Sequence, residues 1–195
     1  MTTSLAKFAA SAGRWTAIGV LATTAWTCIP LAFGAHLDGS QGQIRFTATQ
    51  SEVPLDGEFG KFAADVDFNP AKPEAGKVDF AVDLASVSTG SSEADNLLKE
   101  KDFFDARQFP RATFVSKAIS STGGTQFQVR GNFTLKGHSA ELLIPFTARP
   151  EKDGLHIDGH FLVSRRAYTV GVGQWADTGL LADEVQIRFS LFVPR

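Results

Sequence analysis

From residue 43 onward, apolar and polar positions alternate with a period of two, the spacing of a strand with one buried and one solvated face. In "QIRFTATQ", Ile44, Phe46 and Ala48 share a face; in "EFGKFAADVDF", Phe62, Ala64, Val66 and Phe68 do, with Lys61, Asp65 and Asp67 opposite. "KVDFAVDL" gives Val78, Phe80, Val82 and Leu84, and "QFQVRGNFTL" gives Phe127, Val129, Phe133 and Leu135. "ELLIPFTA" aligns Leu142, Ile144, Phe146 and Ala148, and "LHIDGHFLV" aligns Leu155, Ile157, Phe161 and Val163. "EVQIRFSLF" aligns Val185, Ile187, Phe189 and Leu191, and "RATFVSKAI" completes about eight strands. Turn-forming stretches separate them: "NPAKPEAG", "STGG", "KGHS" and "PEKDG". The pattern predicts an all-β chain, an antiparallel barrel or sandwich.

One insertion, residues 89–110, departs from this rhythm. Ser92 followed by Asp95 resembles a helix start, and Ala94, Leu97 and Leu98 then share a helical face. A short helix is expected over 92–100, followed by an aromatic loop through Phe103, Phe104 and Phe109.

Composition changes the picture of the interior. The 195 residues hold 17 Phe but one Met and one Tyr, so the apolar faces are strongly aromatic. Small residues share those faces: Ala48, Ala64, Gly131 and Gly159. An eight-stranded barrel is just wide enough to fill itself or to hold one slender ligand. Both readings stand from the residues alone, a packed jigsaw or a channel.

The first 35 residues form a separate unit. Lys7 and Arg14 precede the uncharged "WTAIGVLATTAWTCIPLAFGA", which ends in small residues. This is the pattern of a signal peptide, cut after Gly34 or Ala35, or of an uncleaved anchor. The barrel domain is then residues 36–195. Cys28 is the one cysteine, so the mature domain can hold no disulfide, thiolate metal site or cysteine nucleophile. The net charge of -2 becomes more negative once the leader's two cations are removed, which disfavours a nucleic-acid partner.

Several segments carry a resemblance. "GEFGKFAADVDFNP", "VDFAVDLASVSTGSSEADNLLKEKDFFDARQFPRATFVS", "VRGNFTLKGHS" and "VSRRAYTVGVGQWADTGLLADEVQIRF" resemble, in order over residues 43–193, the YceI-like family. The resemblance implies an eight-stranded lipocalin-like barrel with a helix near its mouth. It implies binding of a long isoprenoid chain, such as a polyprenyl phosphate or a quinone side chain, in an elongated apolar cavity, and periplasmic residence. "VGVGQWADTGLLADEV" resembles the subgroup found beside membrane b-type cytochromes, which suggests such a partner. "SRRAY" departs from the family, which has an acidic residue where Ala167 stands.

The expected liners are Phe46, Phe62, Phe68, Phe80, Phe114, Phe127, Phe133, Phe146, Phe161 and Phe189, with Arg165, Tyr168 and Trp175 at the polar end of the ligand. Arg165 continues the parity of Phe161 and Val163, so its charge projects from an apolar face and needs either a ligand oxyanion or a carboxylate such as Asp177 or Asp183. Tyr168 and Trp175 could line a mouth or cap a core. The "GVG" at 171–173 has no helix after it, so it reads as a bend and not as a phosphate loop. His156 and His160 lie in one strand about 13 Å apart, too far to share a metal. No catalytic residue, metal ligand or cofactor is expected beyond the lipid itself. The alternatives are an enzyme acting on a lipid or quinone beside a cytochrome, and a packed barrel that docks another protein. Oligomeric state is open, with a homodimer among the options.

Overall fold

The structure, a computed structural model, describes residues 33–194. The expected leader, apart from its last three residues, and Cys28 lie outside the described residues. Among the described residues, eleven antiparallel strands form one curled sheet: β1 (Phe33–Asp38), β2 (Gly42–Gln50), β3 (Val53–Phe59), β4 (Phe62–Phe68), β5 (Lys77–Asp83), β6 (Val87–Ser88), β7 (Arg111–Gly123), β8 (Gln126–Leu135), β9 (His138–Glu151), β10 (Gly154–Ser164) and β11 (Glu184–Pro194). One short helix, α1 (Ser92–Lys99), sits between β6 and β7.

Eleven strands replace the expected eight because three chain runs are broken in two. A 3-10 turn at Gly39–Gln41 separates β1 from β2, Gly60 and Lys61 separate β3 from β4, and a 3-10 turn at Leu84–Ser86 separates β5 from β6. The pairing continues across each break. β1 pairs with β4 while β2 pairs with β3, and β5 pairs with β4 while β6 pairs with β3. The first run also pairs with β11 through β2, so the sheet returns on itself. β1, most of β3 and the two-residue β6 escaped the sequence reading. Gly34 interrupts the first, and Pro54 and Gly57 read as turn residues in the second.

The bends have local causes. Asp38 caps the first turn, its carboxylate accepting from Ser40 N at 2.8 Å while its own N–H donates to Gln41 Oε1 at 2.8 Å. Gly39 lies so close to the second bend that a Cβ there would be 2.8 Å from the carbonyl oxygen of Gly60. Ser86 then joins the second bend to the third: its Oγ accepts from Lys61 N at 3.0 Å, and its carbonyl accepts from Gly60 N at 3.1 Å.

Strand direction gives the barrel two unlike ends. The turns at 69–76, 124–125 and 152–153 gather at one end; the β2–β3 turn, the α1 insertion, the β8–β9 turn and the long β10–β11 connection gather at the other. Phe68, Leu155 and Val193 are almost completely buried near the first end and close it, and Leu37, opposite Ala64, is buried farther along the same core. Phe68 meets Phe127 edge-on at 5.2 Å and Phe146 at 5.5 Å, an arrangement aromatic quadrupoles favour.

Candidate functional site

The interior is hollow. An elongated cavity of about 290 Å³ runs between the sheet's inner faces, from Phe68, Ile119 and Leu191 near the closed end to α1 at the other. Its lining is almost wholly apolar, with Gln50, Thr89, Thr113 and Arg165 as the polar exceptions. Leu97 both lines the cavity and is 36% exposed, which marks the mouth beside α1. A dry cavity of about 150 Å³ suffices for a benzene-sized guest, so this one is large enough for a chain.

The helix that flanks the mouth begins at Ser92 as the sequence predicts, but its capping residue is the one before. Ser91 is the cap, accepting from Ala94 N at 3.4 Å, and Asp95 turns back to accept from Thr89 N at 2.7 Å and Thr89 Oγ1 at 2.8 Å. Its apolar face, Ala94, Leu97 and Leu98, lines the tunnel as the periodicity predicts. Two rings of the aromatic loop behind it turn inward, while Phe109 packs over Gly137 of the β8–β9 turn. Phe103 is buried 5.5 Å from Trp175, and Phe104 lies 5.9 Å from Phe59.

Of the thirteen side chains expected at the site, ten line the tunnel: Phe46, Phe68, Phe80, Phe114, Phe133, Phe146, Phe161, Phe189, Arg165 and Trp175. Phe62, Phe127 and Tyr168 are buried but are not among the lining. Phe62 stacks on Phe80 at 5.2 Å, Phe127 stacks on Phe146 at 5.6 Å, and Tyr168 meets Phe133 edge-on at 5.2 Å. Their rings back the lining rings. Phe59, Leu84, Phe103 and Phe104 line the tunnel without having been singled out. Phe59 and Phe62 both face inward although they are three apart, because the Gly60–Lys61 bend shifts the parity.

Arg165 is 3% exposed and uses every N–H it has on the backbone. Nε donates to Ala182 O at 3.0 Å; Nη1 donates to Val170 O at 3.0 Å and Gly171 O at 2.8 Å; Nη2 donates to Trp175 O at 2.8 Å and Leu181 O at 2.6 Å. The carboxylate partner expected from Asp177 or Asp183 is therefore replaced by a cage of five carbonyls. Burial lowers its pKa, opposed by the charge of Asp183. Asp183 itself accepts from Ser164 Oγ and from Arg166 N. The Arg165 side chain thus folds the β10–β11 connection around itself and presents that connection to the tunnel.

Two further ties hold the rim. The carbonyl of Asp102 accepts from Gly171 N at 2.7 Å and Val172 N at 3.0 Å, joining the aromatic loop to the β10–β11 connection. Lys136 Nζ donates to Lys101 O at 2.7 Å and Thr169 O at 2.8 Å, and burial lowers its pKa against the pull of Asp105 and Asp102. Among the described residues the buried Tyr168 hydroxyl has no hydrogen-bond partner, and burial raises its pKa.

The histidine row lies on the outer face. His156 Nε2 is 3.1 Å from Ser190 Oγ and 3.2 Å from Asp158, while Ser190 donates to Asp158 at 2.8 Å, and none of the three lines the tunnel. Among the described residues, no group of three His, Cys, Asp or Glu side chains is placed to hold a metal ion.

Against known proteins, the family profile described as "YceI-like domain" matches residues 36–193. A UPF0312 protein of Pseudomonas savastanoi pv. phaseolicola is 36% identical over 97 residues, covering 50% of each chain. One from Shewanella oneidensis is 35% identical over 88 residues, 45% of this chain and 46% of that one. The chain thus spans about half the length of the curated relatives it matches. Among solved structures, BcnA of Burkholderia cenocepacia is 38% identical with a TM-score of 0.78, over 80% of this chain and 98% of that one. A polyisoprenoid binding domain from Saccharophagus degradans shares the fold at 14% identity and a TM-score of 0.66, over 84% and 99% of the two chains.

Proposed function

The chain belongs to the YceI-like family, and from that premise we propose that it is a periplasmic, non-enzymatic carrier that takes one long isoprenoid lipid, a polyprenyl phosphate or a quinone-type chain, into its tunnel. The observation that carries this reading is the open apolar bore among the phenylalanine rings. Burying a methylene is worth about 0.8 kcal/mol, so a few prenyl units bind firmly with no reactive group. The polyisoprenoid binding of the Saccharophagus degradans domain supports the same ligand class here. The chain lies along the Phe68–Phe161 lining, and its polar end stays at the mouth near Gln50 and Trp175, where it meets solvent. Arg165, with no N–H to spare, contributes its charge and the shape of the rim.

An enzyme working on the lipid would need a nucleophile with a base, or a redox group, at the tunnel. The polar lining of Gln50, Thr89, Thr113 and Arg165 holds no such pair. The test is lipid extraction and mass spectrometry of protein purified from cells with their native membranes. A prenyl lipid in stoichiometric amount is expected; its consistent absence would sink the carrier reading. Periplasmic fractionation of the full chain tests the location.

A further inference from the structure

We propose that Gly57 and Gly159 set the width of the tunnel, by leaving room for the rings of Phe46 and Phe189 to lie flat against the wall, and so limit the ligand to a slender chain. This rests on the reading of the tunnel as a lipid site and adds the residues that choose the chain's cross-section.

Both glycines occupy inward positions. Gly57 lies between the lining residues Leu55 and Phe59 on β3, and Gly159 lies between Ile157 and Phe161 on β10. Each is the direct cross-strand partner of a lining phenylalanine: Phe46 opposite Gly57, and Phe189 opposite Gly159. The ring occupies the space where the glycine's side chain would be. A Cβ on Gly57 would sit 2.3 Å from Phe46 Cζ and 2.6 Å from Cε1; one on Gly159 would sit 2.3 Å from Phe189 Cζ and 2.7 Å from Cε1. At Gly131 the covering ring comes from the diagonal position: its cross-strand partner on β7 is Ser116, and Phe114 Cζ, two residues along, would be 2.5 Å from a Cβ there. Aromatic rings are known to cover glycines on neighbouring strands. Here the consequence is directional: a ring laid along the wall does not cross the bore. An interior this rich in phenylalanine stays hollow because these rings lean on glycine.

Gly57 gives the cleanest test, since ring atoms of Phe46 are its three nearest contacts, whereas Gly159 also approaches Pro145 O and Gly131 approaches Val115 O. In Gly57→Ala the Phe46 ring must leave the wall and enter the tunnel. Geranylgeraniol and straight-chain hexadecanol would be titrated calorimetrically against the full-length protein and its variants. Gly57→Ala is expected to fold and to weaken geranylgeraniol binding by on the order of tenfold, with a smaller loss for the thinner hexadecanol. Gly57→Ala with Phe46→Leu is expected to recover the loss, because the shorter side chain clears the new methyl group. Phe46→Leu alone, which retains Gly57, is expected to widen the bore and improve the ratio of geranylgeraniol to hexadecanol affinity; it gives the answer even if Gly57→Ala does not fold. Wild-type affinities in a folded Gly57→Ala, or an unchanged ratio in Phe46→Leu, overturn the inference and leave the carrier reading intact. A wild-type protein that binds neither alcohol overturns both.

Discussion

Arg165 Nη1 donates to the carbonyl oxygen of Gly171 at 2.8 Å, and Gly171 can receive it because it has no side chain: a Cβ there would be 2.7 Å from that nitrogen. Gly171 also holds a φ of 73°, a left-handed conformation that glycine adopts without strain. The cation and the glycine therefore work as a unit, one supplying donors and the other the curve that brings carbonyls to them.

The first prediction concerns this cage. Arg165→Lys offers three donors on a flexible stem in place of five in a planar fork. Several buried carbonyls lose their partner, and stability should fall by about 3 kcal/mol in urea unfolding. Mobility should rise in residues 165–183 while the closed end is unaffected, which amide hydrogen exchange would resolve.

Tyr168 makes the opposite prediction. Its buried hydroxyl has no partner among the described residues, so Tyr168→Phe should leave stability unchanged or raise it by about 1 kcal/mol near neutral pH. A marked loss would reveal a partner for the hydroxyl.

The same residue sets an alkaline limit. Burial raises the phenol's pKa in the folded state, while in the unfolded chain it ionises near its ordinary value of about 10. Above that pH the unfolded state binds fewer protons, so the stability it contributes is complete below about pH 10 and is lost as pH rises further. Tyr168→Phe should abolish this loss. Since the chain has a single tyrosine, phenolate absorbance reports this one group in both states.

Phe68 closes the tunnel and lines it at once. Phe68→Ala should cost about 4 kcal/mol by removing a buried ring held between two others. The space it vacates continues the tunnel, so the variant should accept a longer chain than the parent when both are saturated with a mixture of prenyl alcohols and analysed by mass spectrometry.

In the series geraniol, farnesol, geranylgeraniol, affinity should rise with each prenyl unit and level off once the tunnel is full. Thermal shifts should follow, with about 2.7 kcal/mol of added stability at a ligand concentration of a hundred times Kd. Equal affinity across the series would show that the head group alone is recognised.

Much of this architecture is legible in the residues. Period-two alternation identifies the eight chain runs and the inward faces of β4, β8, β9, β10 and β11, because one face of each is buried and a slip of one residue would reverse it. The helix is visible for the same reason, through Ala94, Leu97 and Leu98 at helical spacing. The breaks are not. Gly60 and Lys61 shift the parity without interrupting the apolar pattern, so Phe59 reads as an outward residue when it faces the tunnel. Arg165 shows the second limit: its position on an apolar face follows from parity, but its partners are main-chain carbonyls, which any sequence possesses and none advertises. Whether the interior is solid or hollow also depends on ring orientation, which alternation does not encode. The distinction between Phe46, which lines the tunnel, and Phe62, which backs Phe80, arises there.

The broken runs carry a consequence for the molecule's behaviour among its own copies. Because the first run reaches β4 with one half and β11 with the other, the bend at Gly39–Gln41 divides its hydrogen bonding between the two sides of the sheet. The sheet's two terminal strands are the six-residue β1 and the two-residue β6. The two-residue β6 is too short to template the addition of a foreign strand, whereas β1 and the Val53–Gly57 stretch of β3, which β6 does not cover, are of ordinary strand length, so edge-to-edge association of crowded copies would run through these two borders.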